Sequence, residues 1–343
     1  MAAPETKWSA NSGFLSSTKL SKELRREAAP IMRFRQFVRK EPALGKNSGD
    51  TVNFSRVRKL TDLGTALIEG TPISAQEQLS TNGSLTMTEY GAATSYTGKI
   101  EALADHPIES IIMESLRVNM AETLDDLIAD QFKAAKVKAC PLTATTIRFD
   151  TGGTFGAGDD DDAQARVNVN TFHVKECVDS LKMDYNCPPY DGSDYMAIGI
   201  THALRGIKDS AEFQMAAKYG DPQRLFDGEV GRWYGTRFIE TTRTDSLSHQ
   251  RGNGADLPGP PLGEMVIFGQ DPVIEAVAIE PEIRVDLPTD FGRQKQIAWY
   301  SIMGWSITWD VGADAGADPA VAAGPGQARI IHIGSADSNG QSA

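Results

Sequence analysis

The 343-residue sequence predicts an α+β fold. Three observations carry that expectation. One amphipathic helix runs on well past the length most domains use. Two alternating strand segments bracket a long Gly/Pro-containing loop. After residue 265 the chain is a succession of β-rich runs. The composition is globular, 40% hydrophobic and 23% charged, with room for two or three lobes or one elaborated domain. No apolar run approaches the roughly 18 residues of a membrane span. The start, Met1-Ala-Ala-Pro-Glu-Thr-Lys7, lacks the apolar core of a signal peptide, so synthesis in a cytoplasm with no membrane partner is expected.

Residues 1–20 are Ser/Ala/Lys-rich and aperiodic, an arm that a neighbouring copy is expected to hold. Residues 21–38 read as a basic helix capped by Ser21 and interrupted at Pro30. Segments 51–58 and 84–90 alternate as strands. The two dozen residues between them contain Gly64, Gly70, Pro72, Asn82 and Gly83, and a loop that long is usually functional. Paired strands on either side project it as a hairpin suited to gripping a neighbour. The helix 106–138 is marked by Asp105 as cap, Pro107 in the first turn and Ile108, Ile111, Ile112, Leu116, Met120, Leu124, Leu127, Ile128 and Phe132 on one face. At 1.5 Å per residue it is about 48 Å long, a strut across a sheet. A Thr/Gly-rich insertion follows Cys140. Residues 171–181 read as a helix capped by Asn170, 195–200 as a buried strand and 203–217 as a helix, giving a small α/β lobe. Strands are expected at 265–268, 276–279, 283–287, 297–309 and 328–333, with loops at 251–263 and 310–327.

The block Leu225-Phe-Asp-Gly-Glu-Val-Gly-Arg-Trp-Tyr-Gly-Thr-Arg-Phe-Ile-Glu-Thr241 is punctuated by Gly228, Gly231 and Gly235. A phosphate-binding loop needs a strand before it and a helix opening on its last glycine. Here the last glycine leads into a strand-like run, so the three glycines read as tight turns between short strands.

Charge is unevenly distributed. Residues 1–60 carry 13 Lys/Arg against 5 Asp/Glu, a net of +8; the rest carry 21 against 41, a net of −20, giving −12 in total. A basic arm on an acidic body fits self-association better than a groove dedicated to nucleic acid, whose affinity comes from neutralising phosphates. The run Asp159, Asp160, Asp161 and Asp162 supplies carboxylate oxygens of the kind calcium takes. It lacks the alternation and the twelfth-position glutamate of an EF-hand, and a solvated acidic loop is the better reading. The five histidines form no metal-binding array, and Cys140, Cys177 and Cys187 read as buried small hydrophobes. No nucleophile elbow or P-loop is present. The sequence therefore indicates no catalytic residue and no cofactor.

Several segments together resemble the major capsid proteins of tailed bacteriophages, the N-four-like family with the HK97-like fold. They are Ala66-Leu-Ile-Glu-Gly-Thr-Pro72, Glu89-Tyr-Gly-Ala-Ala-Thr-Ser-Tyr-Thr97, Asn119-Met-Ala-Glu-Thr-Leu-Asp-Asp126, Ala216-Ala-Lys-Tyr219, the 225–241 block and Met265-Val-Ile-Phe-Gly-Gln-Asp271. They run in family order from about residue 22 to residue 310. The resemblance implies an N-terminal arm at 1–50 and an extended hairpin loop at 51–98. It implies a peripheral domain at 99–165 and 265–343 with its spine helix at 106–138, and an axial domain at 166–264. The insertions 141–168 and 311–327 exceed the family pattern.

The function so implied is a shell protein that self-assembles into hexamers and pentamers around a double-stranded DNA genome, without sequence-specific binding. A separate scaffolding protein, a portal and decoration proteins are the implied partners. Arg25, Arg26, Arg33, Arg35, Glu69, Gly70 and Pro72 are the expected inter-subunit contacts. Deleting residues 1–40 is expected to abolish shells and leave a soluble monomer. The alternatives are an encapsulin-like or surface-layer shell protein and an acidic α/β enzyme with a hairpin lid.

Overall fold

The computed structural model describes residues 5–6, 33–41, 49–57, 80–152, 167–211, 213, 229–242, 247–250, 261–311 and 327–335, with isolated positions between 60 and 78. The arm contributes β1 (Glu5–Thr6) and β2 (Arg39–Glu41). A hairpin follows, β3 (Thr51–Val57) and β4 (Ser80–Thr86). Then come β5 (Thr88–Thr97), α1 (Gly98–Leu103) and α2 (Ile108–Lys133). The middle holds β6 (Lys138–Thr143), β7 (Thr146–Asp150), α3 (Thr171–Met183), β8 (Tyr195–Ile200) and α4 (Thr201–Lys208). The remainder is β9 (Glu229–Trp233), β10 (Thr236–Thr241), β11 (Ser248–Gln250), β12 (Pro261–Phe268), β13 (Val273–Val285), β14 (Gln294–Ile307) and β15 (Ile330–Ser335).

Two large sheets organise these strands. One has the order β1-β5-β14-β13-β2; the other runs β7-β6-β15-β12-β8-β10-β9, with β11 on β12. The hairpin β3–β4 is a sheet of its own. Helix α2 crosses between the two cores. Ile108, Ile112 and Leu116 pack with Ile100 of α1 and with Tyr96, Ile297 and Trp299 of the five-stranded sheet. Leu124, Ile128 and Phe132 enter the main core with Val174, Ile198, Phe268 and Ile331. The expected apolar face is thus the buried face, and Trp299 Nε1 pins the helix by donating to Asn119 Oδ1 at 3.0 Å.

The helix is shorter than the 106–138 expected. Its 26 residues span about 39 Å at 1.5 Å each. Pro107 occupies the N-cap with no side-chain bond, so Asp105 does not cap it. Beyond Ala134 the chain is drawn into the sheet, where His332 N–H donates to Val137 O at 3.0 Å and Lys138 pairs beside His332. A sheet partner nearly 200 residues away overrides the helical pattern.

Other boundaries moved for similar reasons. The expected strand 84–90 is a junction: β4 ends at Thr86, and β5 turns away after the buried Met87 to join β14. Segments 276–279 and 283–287 belong to one strand, β13, whose pairing with β14 slips at Val277/Ile279 and again at Ile279/Glu282. Helix α4 starts at Thr201 and ends at Lys208; Ala211 and Phe213 are helical again, and 212 and 214–217 of the expected helix lie outside the described residues. Helix α3 agrees with expectation, Asn170 and His173 forming a reciprocal capping box. Strands β8 and β10 are parallel neighbours on either side of α4, as an α/β lobe requires.

The sheets divide the chain differently from the expected partition into 99–165 with 265–343 and 166–264. Strands β6, β7, β12 and β15 complete the sheet that contains β8 and β10, because β12 pairs with β8 on one side and β15 on the other. The arm boundary also moves. Residues 21–32 of the expected basic helix lie outside the described residues, and Arg35–Phe37 is one 3-10 turn before β2. Phe34, Phe37 and Val38 are core residues, so the body already includes 33–41 of the expected 1–50 arm.

Gly235 does close a turn. With Tyr234 (φ 47) and Gly235 (φ 68) both left-handed, β9 and β10 join through a two-residue hairpin of the I′ kind. Gly231 (φ 152) is not at a turn. It sits inside β9 where the pairing slips, and a Cβ there would lie 2.8 Å from the Phe213 ring. Gly228 lies outside the described residues.

Candidate assembly surfaces

The arm meets the body at a built anchor. The backbone N–H groups of Arg33, Phe34 and Arg35 donate to the carboxylate of Asp125 at 3.2, 2.9 and 3.3 Å. Burial raises the Asp125 pKa above the usual carboxylate value, and the three N–H bonds oppose that rise. Arg35 extends to Glu275, a fully buried carboxylate, at 3.1 Å. Phe34 packs on Phe132, and Phe37 on Phe268, with ring centroids 5.5 and 5.3 Å apart. Arg35, an expected inter-subunit contact, therefore turns inward, and the Arg33 main chain is held by its own body. Arg25 and Arg26 lie outside the described residues. After this anchor, β2 runs parallel to β13 at one edge of the five-stranded sheet, and β1 pairs with β5 at the other. Arm segments thus cover both edges of a sheet that would otherwise offer unpaired backbone.

The hairpin is fixed at its base, and the described residues of its tip are exposed. Val52, Leu85 and Met87 bury against Ala276, with Phe54, Ala278 and Ile302 around them. Arg56 donates to the carbonyls of Thr308 and Ile307 at 2.5 and 3.1 Å, and its guanidinium lies over the Phe54 ring. Gly304 permits the close approach of β14 to β4, since a Cβ there would fall 2.5 Å from Thr86 O. Beyond that base, Val57, Leu60, Leu67 and Ile73 face solvent, Leu67 at 66% and Ile73 at 72%. Glu69, Gly70 (φ 83) and Pro72 are likewise exposed. A hairpin carrying several bare aliphatic side chains is a surface built to be covered.

Two polar clusters were not legible in the sequence. Asp194, nearly buried, takes Arg232 at 2.5 Å and Arg237 at 3.0 Å, and Arg237 also reaches Asp191 at 3.1 Å. This braces the β9–β10 hairpin against the loop before β8. Across β6, β15 and β12, the Lys138 ammonium donates to His332 Nδ1 at 2.8 Å, so Nε2 carries the imidazole proton, 3.1 Å from Glu264 Oε2. Lys138 Nζ also bonds to the Lys133 carbonyl at the end of α2. Each of the three side chains belongs to a residue no more than 3% exposed, so no substrate reaches them. Burial lowers the His332 pKa and pushes Lys138 down to about 8.

The three cysteines are buried, and burial pushes Cys140 up to about 11, Cys187 up to about 12 and Cys177 strongly upward. A thiol held protonated in this way is a poor nucleophile. Among the described residues no three or more His, Cys, Asp or Glu side chains are grouped to hold a metal, and none of their helices is long and apolar enough to cross a membrane. Asp159, Asp160, Asp161 and Asp162 lie outside the described residues.

No family model and no curated protein matches the sequence. Solved structures do match the fold. The capsid of Ralstonia phage GP4 aligns over 96% of this chain and 97% of its own, with a TM-score of 0.65 at 13% identity. The capsid of Helicobacter pylori bacteriophage KHP30 aligns over 96% and 98%, with a TM-score of 0.65 at 12% identity. The cyanophage Pam1 capsid aligns over 94% and 96%, with a TM-score of 0.64 at 16% identity. The chain has the HK97-like fold of phage capsids along nearly its whole length.

Proposed function

We propose that this chain is the major capsid protein of a tailed bacteriophage, a structural protein that encloses double-stranded DNA by self-assembly. The observation that carries this reading is the pairing of a full-length capsid fold with a hairpin whose described tip residues Leu60, Leu67 and Ile73 stay exposed in one copy. The hairpin is the extended loop, α2 the spine of the peripheral domain, and the β8–α4–β10 unit the heart of the axial domain. Each copy extends its hairpin over a neighbour. Because hairpin tip and receiving surface are different patches, the contacts are heterologous and close into hexameric and pentameric rings and then a shell.

The acidic body, at −20 over residues 61–343, keeps the wall from adhering to packaged DNA while the basic arm seeks acidic neighbours. Scaffolding and portal proteins direct assembly in the host cytoplasm, decoration proteins join the finished shell, and the virion is the final location. Expression of the full chain, followed by size-exclusion chromatography and negative-stain microscopy, tests the reading. Discrete particles tens of nanometres wide are expected, by analogy with closed homo-oligomeric shells. A protein that stays monomeric at every concentration, with and without co-expressed phage assembly factors, sinks it. Nuclease-protected DNA in particles from infected cells separates a genome shell from an encapsulin-like one.

A further inference from the structure

The turn joining β13 to β14 presents a side chain that the molecule itself does not bury. Phe291 is 105% exposed and left-handed (φ 54), between Asp290 (φ 49) and Gly292 (φ 86). Bulky residues rarely take positive φ. The turn is nevertheless rigidly held. Thr289 and Gln294 exchange backbone bonds at 2.9 and 3.2 Å, Gly292 N–H returns to Thr289 O, and Gly98 N–H donates to Arg293 O at 2.9 Å. The ring is therefore a preformed projection, with little ordering left to do on contact. Leu287, between β13 and the turn, is exposed as well.

On the face of that sheet turned away from α2 lies a hollow of about 360 Å³. Ile297 and Trp299 point into the core, so Ala298 between them points outward and meets Ala93 on the paired strand. These two alanines floor the hollow, and Arg284, Val285, Asp286 and Gln296 wall it. Arg284 is held in place by Glu282 at 2.7 Å and by stacking on Tyr300. The charges of projection and hollow are complementary. Beside Phe291 stand Asp290 and Arg293, joined only at 3.4 Å, and Arg293 is largely in solvent. Around the hollow stand Arg284 and Asp286.

We propose that Phe291 of one copy seats in the Ala93–Ala298 hollow of a neighbouring copy, with Arg293 meeting Asp286 and Asp290 meeting Arg284. Projection and hollow are different patches of one molecule, so each copy can offer both at once, as the heterologous contacts of a closed ring require. The inference rests on the shell reading and adds to it a specific locking contact.

The test uses particles of the full-length chain. Phe291→Ala, Arg293→Glu and Asp286→Lys are each expected to lower particle yield roughly tenfold or more, as loss of a buried interface anchor does. All three positions are exposed, so thermal unfolding of the unassembled protein should match wild type. Combining Arg293→Glu with Asp286→Lys is expected to restore particles. Mixed copies carrying Phe291→Cys and Ala298→Cys are expected to form an intermolecular disulfide on oxidation, the native cysteines being buried. Wild-type particles alongside unchanged yield for Phe291→Ala overturn the contact alone, as does failure of both the charge rescue and the disulfide. Absence of wild-type particles overturns the shell and the contact together.

Discussion

Asp125 shows how one carboxylate ties two distant parts of the chain together. It accepts from three consecutive backbone N–H groups 90 to 92 residues away, and the guanidinium of Arg35 then reaches Glu275, 240 residues on. Asp125→Ala leaves those N–H groups buried without an acceptor, which is expected to cost about 2–4 kcal/mol in chemical denaturation; Asp125→Asn keeps one acceptor oxygen and loses less. A second residue-scale prediction concerns pH. Burial holds His332 below its ordinary 6.5, so the unfolded chain takes up the proton first as pH falls. His332 thus favours the fold above about 6.5, and that contribution is lost as the pH falls through the depressed folded value. Lys138, about 8 folded against 10.5 unfolded, gives the same slope between those values. Melting temperature measured from pH 8 down to pH 5 should fall less steeply for His332→Gln than for wild type. Neither residue announces itself in the sequence, since a buried charge is defined by partners that only folding brings together.

At the scale of elements, the hairpin separates stability from assembly. Its base is integrated through Val52, Leu85, Met87 and Arg56, whereas Leu60, Leu67 and Ile73, among the described residues of its tip, face solvent. Replacing 58–79 with a short Gly/Ser linker is expected to change unfolding free energy by less than about 1 kcal/mol, because loop-closure entropy varies slowly with length. The same replacement should abolish particles in negative-stain images; intact shells would show that the tip is not a contact. Gly304→Val is expected to act the other way. It drives a side chain into the Thr86 carbonyl and loosens the base, which hydrogen exchange in β3 and β4 would report as faster exchange. These elements were readable because strand alternation and loop length are local properties. The extent of β13 was not, since its two bulges are set by register against β14.

At the scale of the molecule, the arm has two parts with different duties. Phe34, Phe37 and Val38 complete the main core, while the residues before 33, β1 apart, lie outside the described residues. Deletion of 1–32 is expected to leave a folded, soluble monomer that forms no stable shells. Deletion of 1–40 removes two core phenylalanines, each worth about 3–5 kcal/mol, and should leave the chain unfolded or aggregated. Circular dichroism and microscopy on the two truncations check this; full-sized particles from the 1–32 deletion would remove the arm from the assembly mechanism.

The sequence by itself determined the long helix and its buried face, the projecting hairpin, the Asn170 cap and the α/β unit. Each of these is written in a repeat of two, three or four residues. The motifs resembling phage capsid proteins added the fold, with which the solved structures agree. Only the tertiary structure decided where α2 stops, that β6, β12 and β15 share a sheet with β8, and that residues 33–41 belong to the body. Those outcomes depend on pairing between residues far apart in the chain, and local periodicity holds no record of which strand will be the neighbour.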